Sequence, residues 1–215
     1  MLKRESEKID VIQSLMNMAM SHIAICKWSH SKISKEHRKR SQEGYQKQSE
    51  YELHIGMTGI VCFGLNLFSI ELSLKLTRLL YGLPYCNTHD LYRLYKDIRD
   101  SIDNSEELLS TVLGHINTMT SFLKEKRVSK KELEEMLESY RNTYRDIRYL
   151  YVDVRGNSPG HKKLRCFLKL NEKETIFGRD FRVLRYIAEA FISINENKMR
   201  EEGIPLTKGD EIQES

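Results

Sequence analysis

Gly56–Asp90 reads GMTGIVCFGLNLFSIELSLKLTRLLYGLPYCNTHD. From Met57 to Leu80 the stretch is apolar nearly all the way round and holds no proline, with good helix formers in its second half. A helix that is hydrophobic on every side belongs at the centre of a bundle or in a membrane. The uncharged run ends at Ile70, after about fifteen residues, and Glu71, Lys75 and Arg78 follow within two turns. A transmembrane span needs about twenty apolar residues, so the stretch reads as a buried central helix with the rest of the chain packed around it. The fold class that follows is all-α: a bundle of about five to six helices around this central one.

At about 100° per residue, Gly59, Cys62, Asn66, Ser69, Ser73 and Thr77 share one narrow stripe of this helix. Small residues in line let a second helix backbone approach, from the same chain or from a second copy. Glu71, Lys75 and Arg78 form a separate charged stripe, with Glu71 and Lys75 in the favourable i,i+4 order. Glu71 is either an ordinary surface partner of Lys75 or an enclosed carboxylate, and an enclosed carboxylate requires a fixed cation.

With 215 residues the chain can build one sizeable core, alone or with an appendage. Three prolines leave room for long helices. The net charge of +4 is too small to define a polyanion binder, so the distribution of charge carries the argument. The four cysteines lie far apart, with no CxxC pair and no His/Cys cluster at ligand spacing. That pattern fits a reducing compartment and argues against a zinc site; no metal or other cofactor is expected. The start, MLKRESEKIDVIQ, lacks a signal-peptide core, so a cytoplasmic location without membrane association is expected.

Residues 5–28 read as a first helix with Ile9, Ile12, Leu15, Met16, Ala19, Ile23 and Ile25 near helical spacing. Residues 29–50 hold a single aliphatic residue, Ile33, and the densest basic run in the chain, Lys32, Lys35, Arg38, Lys39 and Arg40. This segment is a solvated helix extension or a flexible connection, and its cations are candidate phosphate contacts. Residues 1–50 thus form an N-terminal helix with a basic extension, 51–200 the bundle, with 156–178 as an insertion or loop, and 201–215 a polar tail. Gly82 and Pro84 stop the central helix. Thr88 is the expected cap of a short helix to about Arg99, and His89 beside Asp90 reads as a capping or packing residue. Ser105 opens a helix to about Leu123, and Ser129 with Glu132 opens a long one to about Val152. A last helix spans about Asp180 to Met199.

The helix from 130 presents Leu133, Met136, Leu137, Tyr140, Tyr144, Ile147 and Tyr151 on one face, with Arg141 and Arg148 at its edge and Arg145 one step further out. Arg148 lies close enough to the apolar stripe to be half buried, and a buried guanidinium calls for a carboxylate in a bidentate pair. Glu71 is the expected partner.

Four blocks in order resemble a HEPN-type helical domain. They are Phe68-Ser-Ile-Glu-Leu-Ser-Leu-Lys75 with Leu79-Leu80-Tyr81-Gly82, then Thr88-His89-Asp90-Leu91, then Ile147-Arg148-Tyr149-Leu150-Tyr151, and finally Arg182-Val-Leu-Arg-Tyr-Ile-Ala-Glu-Ala190. The third departs from the family's pattern, with isoleucine for tryptophan and Val152 for an acid. The resemblance covers about 50 to 195. It implies an up-and-down helical bundle, commonly a homodimer, that binds RNA in toxin–antitoxin or phage-defence systems, in some members as a metal-independent ribonuclease. A protein partner such as a nucleotidyltransferase-type antitoxin or a defence nuclease is implied as well.

Catalytic members carry an arginine followed after four to six residues by a histidine. After Arg141 those positions hold Asp146, Ile147 and Arg148, whereas Arg155 and His161 keep the spacing inside a Gly/Pro-rich loop. Such a pair suits RNA cleavage, since histidine moves a proton near neutral pH and arginine holds a phosphate. The alternative is a dimeric scaffold or antitoxin-like module without catalysis, in which Lys32, Lys35, Arg38, Lys39, Arg40, Arg141 and Arg145 form the phosphate surface.

Overall fold

The computed structural model describes residues 2–43, 48–141 and 179–206, with side chains placed for 6–29, 31, 32, 35, 61–141 and 179–206. Six helices make up the described residues, with no strand among them: α1 Leu2–Glu43, α2 Gln48–Leu80, α3 Leu91–Ser101, α4 Ser105–Phe122, α5 Lys130–Ser139 and α6 Arg179–Glu201. The fold is an all-α bundle. Helix α2 is its axis, touched by α1, α3 and α6, while α4 packs on α6 and α3 meets α4 and α5.

Every residue from Ser69 to Leu80 is buried, whatever its chemistry. From Cys62 to Thr77 the small stripe is covered from within the chain. Ser69 Oγ donates to the Ala19 carbonyl of α1 at 3.2 Å, and the Cys26 thiol donates to the Cys62 carbonyl at 3.3 Å. Further along, Asn195 of α6 donates from Nδ2 to the Ser73 carbonyl at 2.9 Å, and its Oδ1 accepts from Thr77 Oγ1 at 2.9 Å. Small side chains here leave room for two backbones to come close, and the polar groups of Ser69 and Thr77 are matched inside, while those of Asn66 and the Ser73 hydroxyl are not.

Helix α1 is continuous well past residue 28, so of the two alternatives for 29–43 the helical extension is the one formed. Its packed face is Ile12, Met16, Ala19, Ile23 and Cys26; Ile9 and Ile25, expected on that face, are 36% and 48% exposed. Ser6–Ser29 is long and apolar enough to cross a membrane by length and composition, with 28% of that window buried, a test that core helices also pass.

The end of α2 follows from Gly82, whose φ of 77° lets Leu83 N donate to the Arg78 carbonyl and Gly82 N to the Leu79 carbonyl. The same two-bond closure, with Gly203 in the left-handed region, ends α6. Two local expectations need correction. Asp90, not Thr88, caps α3, its carboxylate accepting from Arg93 N at 3.0 Å. Thr88 Oγ1 instead accepts from Asp90 N. Helix α5 stops at Ser139 rather than near Val152, because Tyr140 and Arg141 turn the chain onto the start of α3, where the Arg141 carbonyl accepts from Leu91 N at 3.0 Å.

Candidate functional site

The charged stripe of α2 faces the connection from Tyr81 to Asp90, and that connection runs back along it. Arg78 Nη2 donates to the Pro84 carbonyl at 3.1 Å. One turn earlier the Lys75 ammonium lies 5.7 Å from the centre of the Tyr85 ring. One turn earlier again, Glu71 Oε1 meets His89 Nδ1 at 2.9 Å. As numbers rise in the connection they fall on the helix, so the two segments lie antiparallel. Each of these three charges is covered by a specific group of the connection.

Glu71 is 0% exposed, Lys75 5% and Arg78 6%. Lys75 Nζ donates to Glu71 Oε1 at 2.8 Å, so one carboxylate oxygen serves both Lys75 and His89. The second oxygen, Oε2, is buried with no hydrogen-bond partner. Arg78 also pairs with Asp97 of α3. Of the two readings of Glu71, the enclosed one holds, with Lys75 as its cation. Arg148, the expected partner, lies outside the described residues, as do Arg145, Arg155 and His161.

His89, read in the sequence as a capping or packing residue beside Asp90, is the functional candidate here. Its side chain is 42% exposed while its carboxylate partner is 1% exposed. An ionised carboxylate only accepts hydrogen bonds, so a neutral ring bonded to it would donate from Nδ1 and leave Nε2 as an acceptor. The partner sits eighteen residues upstream, across a turn whose path no periodicity reveals. The one signal was the histidine itself, next to an acidic residue after a helix stop.

The neighbouring Asp90 binds the Arg141 guanidinium through both Nε, at 3.0 Å, and Nη2. This hydrogen-bonded carboxylate pushes the Arg141 pKa up. Arg141 is exposed and paired with Asp90. Tyr140 donates from its hydroxyl to Asp180 at 2.9 Å, and its phenol pKa is pushed up, first by burial and then by the Asp180 carboxylate. The chain therefore leaves α5 and enters α6 at one corner of the bundle, beside the His89 cluster.

Of the basic run, Lys32 and Lys35 are exposed on α1; Arg38, Lys39 and Arg40 belong to the same helix, with side chains outside the described set. The Lys32 ammonium lies 4.7 Å from the centre of the Trp28 ring, which is 63% exposed. Trp28, Lys32, Lys35 and Lys39 follow a 4-3-4 spacing, which places their positions within one narrow sector of a helix. Among the described residues no group of three His, Cys, Asp or Glu could hold a metal ion. Compared with protein-family models, curated proteins and solved structures, the chain matches none.

Proposed function

We propose that this chain is a HEPN-like RNA-binding protein of a toxin–antitoxin or phage-defence type system, acting in the cytoplasm. The observation that carries the reading is the exposed Trp28 with Lys32 against its ring and Lys35 one turn on. Single-stranded nucleic acid is held by aromatic rings on which bases stack and by cations that track the backbone. A tryptophan with a lysine against its ring on a solvated helix supplies both elements. The blocks that resemble HEPN domains support the same class of ligand, with metal-independent cleavage as the activity to be tested.

Titration of a labelled single-stranded RNA at several salt concentrations tests the reading. Quenching of Trp28, the only tryptophan, should report binding directly. Log affinity should fall linearly with log salt, by about 0.7 per neutralised phosphate. Trp28→Ala should cost about 1–3 kcal/mol of affinity, and Lys32→Ala with Lys35→Ala should flatten the salt slope. Absence of binding at low salt would refute the proposal.

A second reading, a dimeric scaffold or antitoxin-like module for a protein partner, is favoured by one specific observation. Val11, Met18 and Ile25 recur every seven residues on α1 and are 45%, 44% and 48% exposed. Such a seam suits a partner helix. A monomeric mass at micromolar concentration would count against self-association through it. A neighbouring gene for a nucleotidyltransferase or nuclease would favour a partner of that kind.

A further inference from the structure

We propose that the connection between α4 and α5 is a peripheral membrane contact. In it Phe122 and Leu123 enter the headgroup–acyl boundary of an anionic lipid surface, and the cations beside them meet its phosphates. Phe122, the last residue of α4, is 76% exposed, the most of any large apolar residue described, and Leu123 next to it is 49% exposed. Lys124, Lys126, Arg127, Lys130 and Lys131 follow closely, all of them exposed. The acids of the same stretch are already engaged by α6, Glu125 by Arg182 and Glu132 by Arg179. The side chains of Lys124, Arg127 and Lys130 enter no hydrogen bond or ion pair among the described residues. What the connection offers solvent is an apolar pair with an excess of positive charge.

This exposure is built into the fold. Asn117 of α4 grips Val128 through both amide atoms, Nδ2 donating to its carbonyl at 3.1 Å and Oδ1 accepting from its N–H at 2.7 Å, and Val128 itself is buried. Arg179 Nη2 donates to the Lys126 carbonyl at 3.3 Å. The end of α4 carries a second, independent observation. Glu125 N donates to the Thr120 carbonyl and Lys124 N to that of Ser121, the closure that also ends α2 and α6. In those two the left-handed position is Gly82 or Gly203, whereas here it is Lys124, with φ 55°. Left-handed backbone favours glycine and disfavours a residue with a Cβ. A lysine at this position keeps a cation beside Phe122 and Leu123 although glycine would suit the fold better.

A lipid surface fits this combination better than a nucleic acid does. Hydrocarbon takes both side chains together, whereas leucine gives a base no ring to stack on. Apolar insertion and attraction to anionic headgroups are the two terms that hold a protein at a membrane surface, and the cytoplasmic leaflet is negatively charged. The contact is peripheral, so the chain stays in the cytoplasm. What it revises is the expectation of no membrane association, which rested on the missing signal-peptide core. It does not depend on Trp28 or α1.

The full-length chain should be sedimented with vesicles of phosphatidylcholine alone and of phosphatidylcholine with phosphatidylserine, two to one. The expected result is binding to the mixed vesicles, weakened by salt, and little binding to the neutral ones. Phe122→Ser with Leu123→Ser should lower the partition coefficient by about tenfold or more without lowering the melting temperature. Lys124→Gly should lower it by about fivefold while raising the melting temperature. A residue that mattered only to the fold would not move those two readings in opposite directions. The inference is overturned if the parent ignores the mixed vesicles, or if the double serine variant binds them like the parent, which would put the lipid contact on another surface such as α1. It is equally overturned if that variant keeps lipid and loses single-stranded RNA, which would make the tip a nucleic-acid surface.

Discussion

Two stretches of this molecule reverse the usual rule in opposite directions. The second half of α2 puts Glu71, Lys75 and Arg78 inside, none more than 6% exposed. The stretch of α1 up to Trp28 puts Val11, Met18, Ile25 and Trp28 outside, each at least 44% exposed. Charges are tolerated in the core because each meets a partner at bonding distance: Lys75 and His89 for Glu71, and Asp97 with the Pro84 carbonyl for Arg78. Apolar groups outside carry no comparable penalty, since much of any protein surface is apolar. The difference teaches where constraint lies. Removing a partner from the α2 cluster strands a buried charge, whereas changing the α1 face alters only what can dock there.

The largest effect should come from Glu71→Ala. Breaking a buried ion pair from one side costs about 3–5 kcal/mol, and here it strands Lys75 and releases His89 together. Urea unfolding should show that loss in the midpoint at an unchanged slope. A loss below 1 kcal/mol would mean that the cluster is solvated.

Two buried asparagines sharpen the point at a smaller scale. Asn195 has its side-chain nitrogen and oxygen bonded, to Ser73 and Thr77, while Asn66, also 0% exposed, has neither atom bonded. An unmatched buried polar group costs about 1–3 kcal/mol. Asn195→Leu should therefore destabilise by that order, and Asn66→Leu, with the same branching, should stabilise. Two changes of the same sign would contradict the satisfaction argument.

His22 gives a pH dependence. It stacks on Phe68 with ring centres 5.0 Å apart, its Nδ1 is buried without a partner, and burial lowers its pKa below 6.5. The unfolded chain then binds the proton more readily than the folded one, so stability rises with pH through this range. It should be complete above about pH 6.5 and decline as pH falls through the lowered folded value. His22→Phe should flatten the melting temperature over that window; an unchanged slope would assign the dependence elsewhere.

The smallest effect belongs to the α1 face. Met18→Gln with Ile25→Gln should move unfolding free energy by no more than about 0.5 kcal/mol per site. If sedimentation nevertheless shows the parent as a dimer and the variant as a monomer, the seam is the interface.

The bundle and its axis were legible in the sequence because Met57–Leu80 is apolar all round, a pattern with few alternatives. The small stripe and the capping of α5 by Ser129, which accepts from Glu132 N at 3.2 Å, were legible for the same local reasons. What was not legible is tertiary in origin. The apolar spacing of α5 continues through Tyr140 and Tyr144, so nothing local marks a stop at Ser139; the stop comes from Arg141 binding the start of α3. Residues 29–43 carry almost no apolar signal, and their helix continues from a neighbour that does. His89 was hidden because its partner lies on another element, reached only when the connection folds back along α2.

The Glu71–His89 contact should hold the ring in one tautomer. Nitrogen-15 NMR of the histidine rings, with His89 assigned by His89→Asn, tests it most directly at a pH where the ring is neutral. The account predicts a protonated Nδ1 and a bare Nε2, lost in Glu71→Gln if that variant remains folded. A ring protonated at Nε2, or averaging between the two forms in the parent, would contradict it.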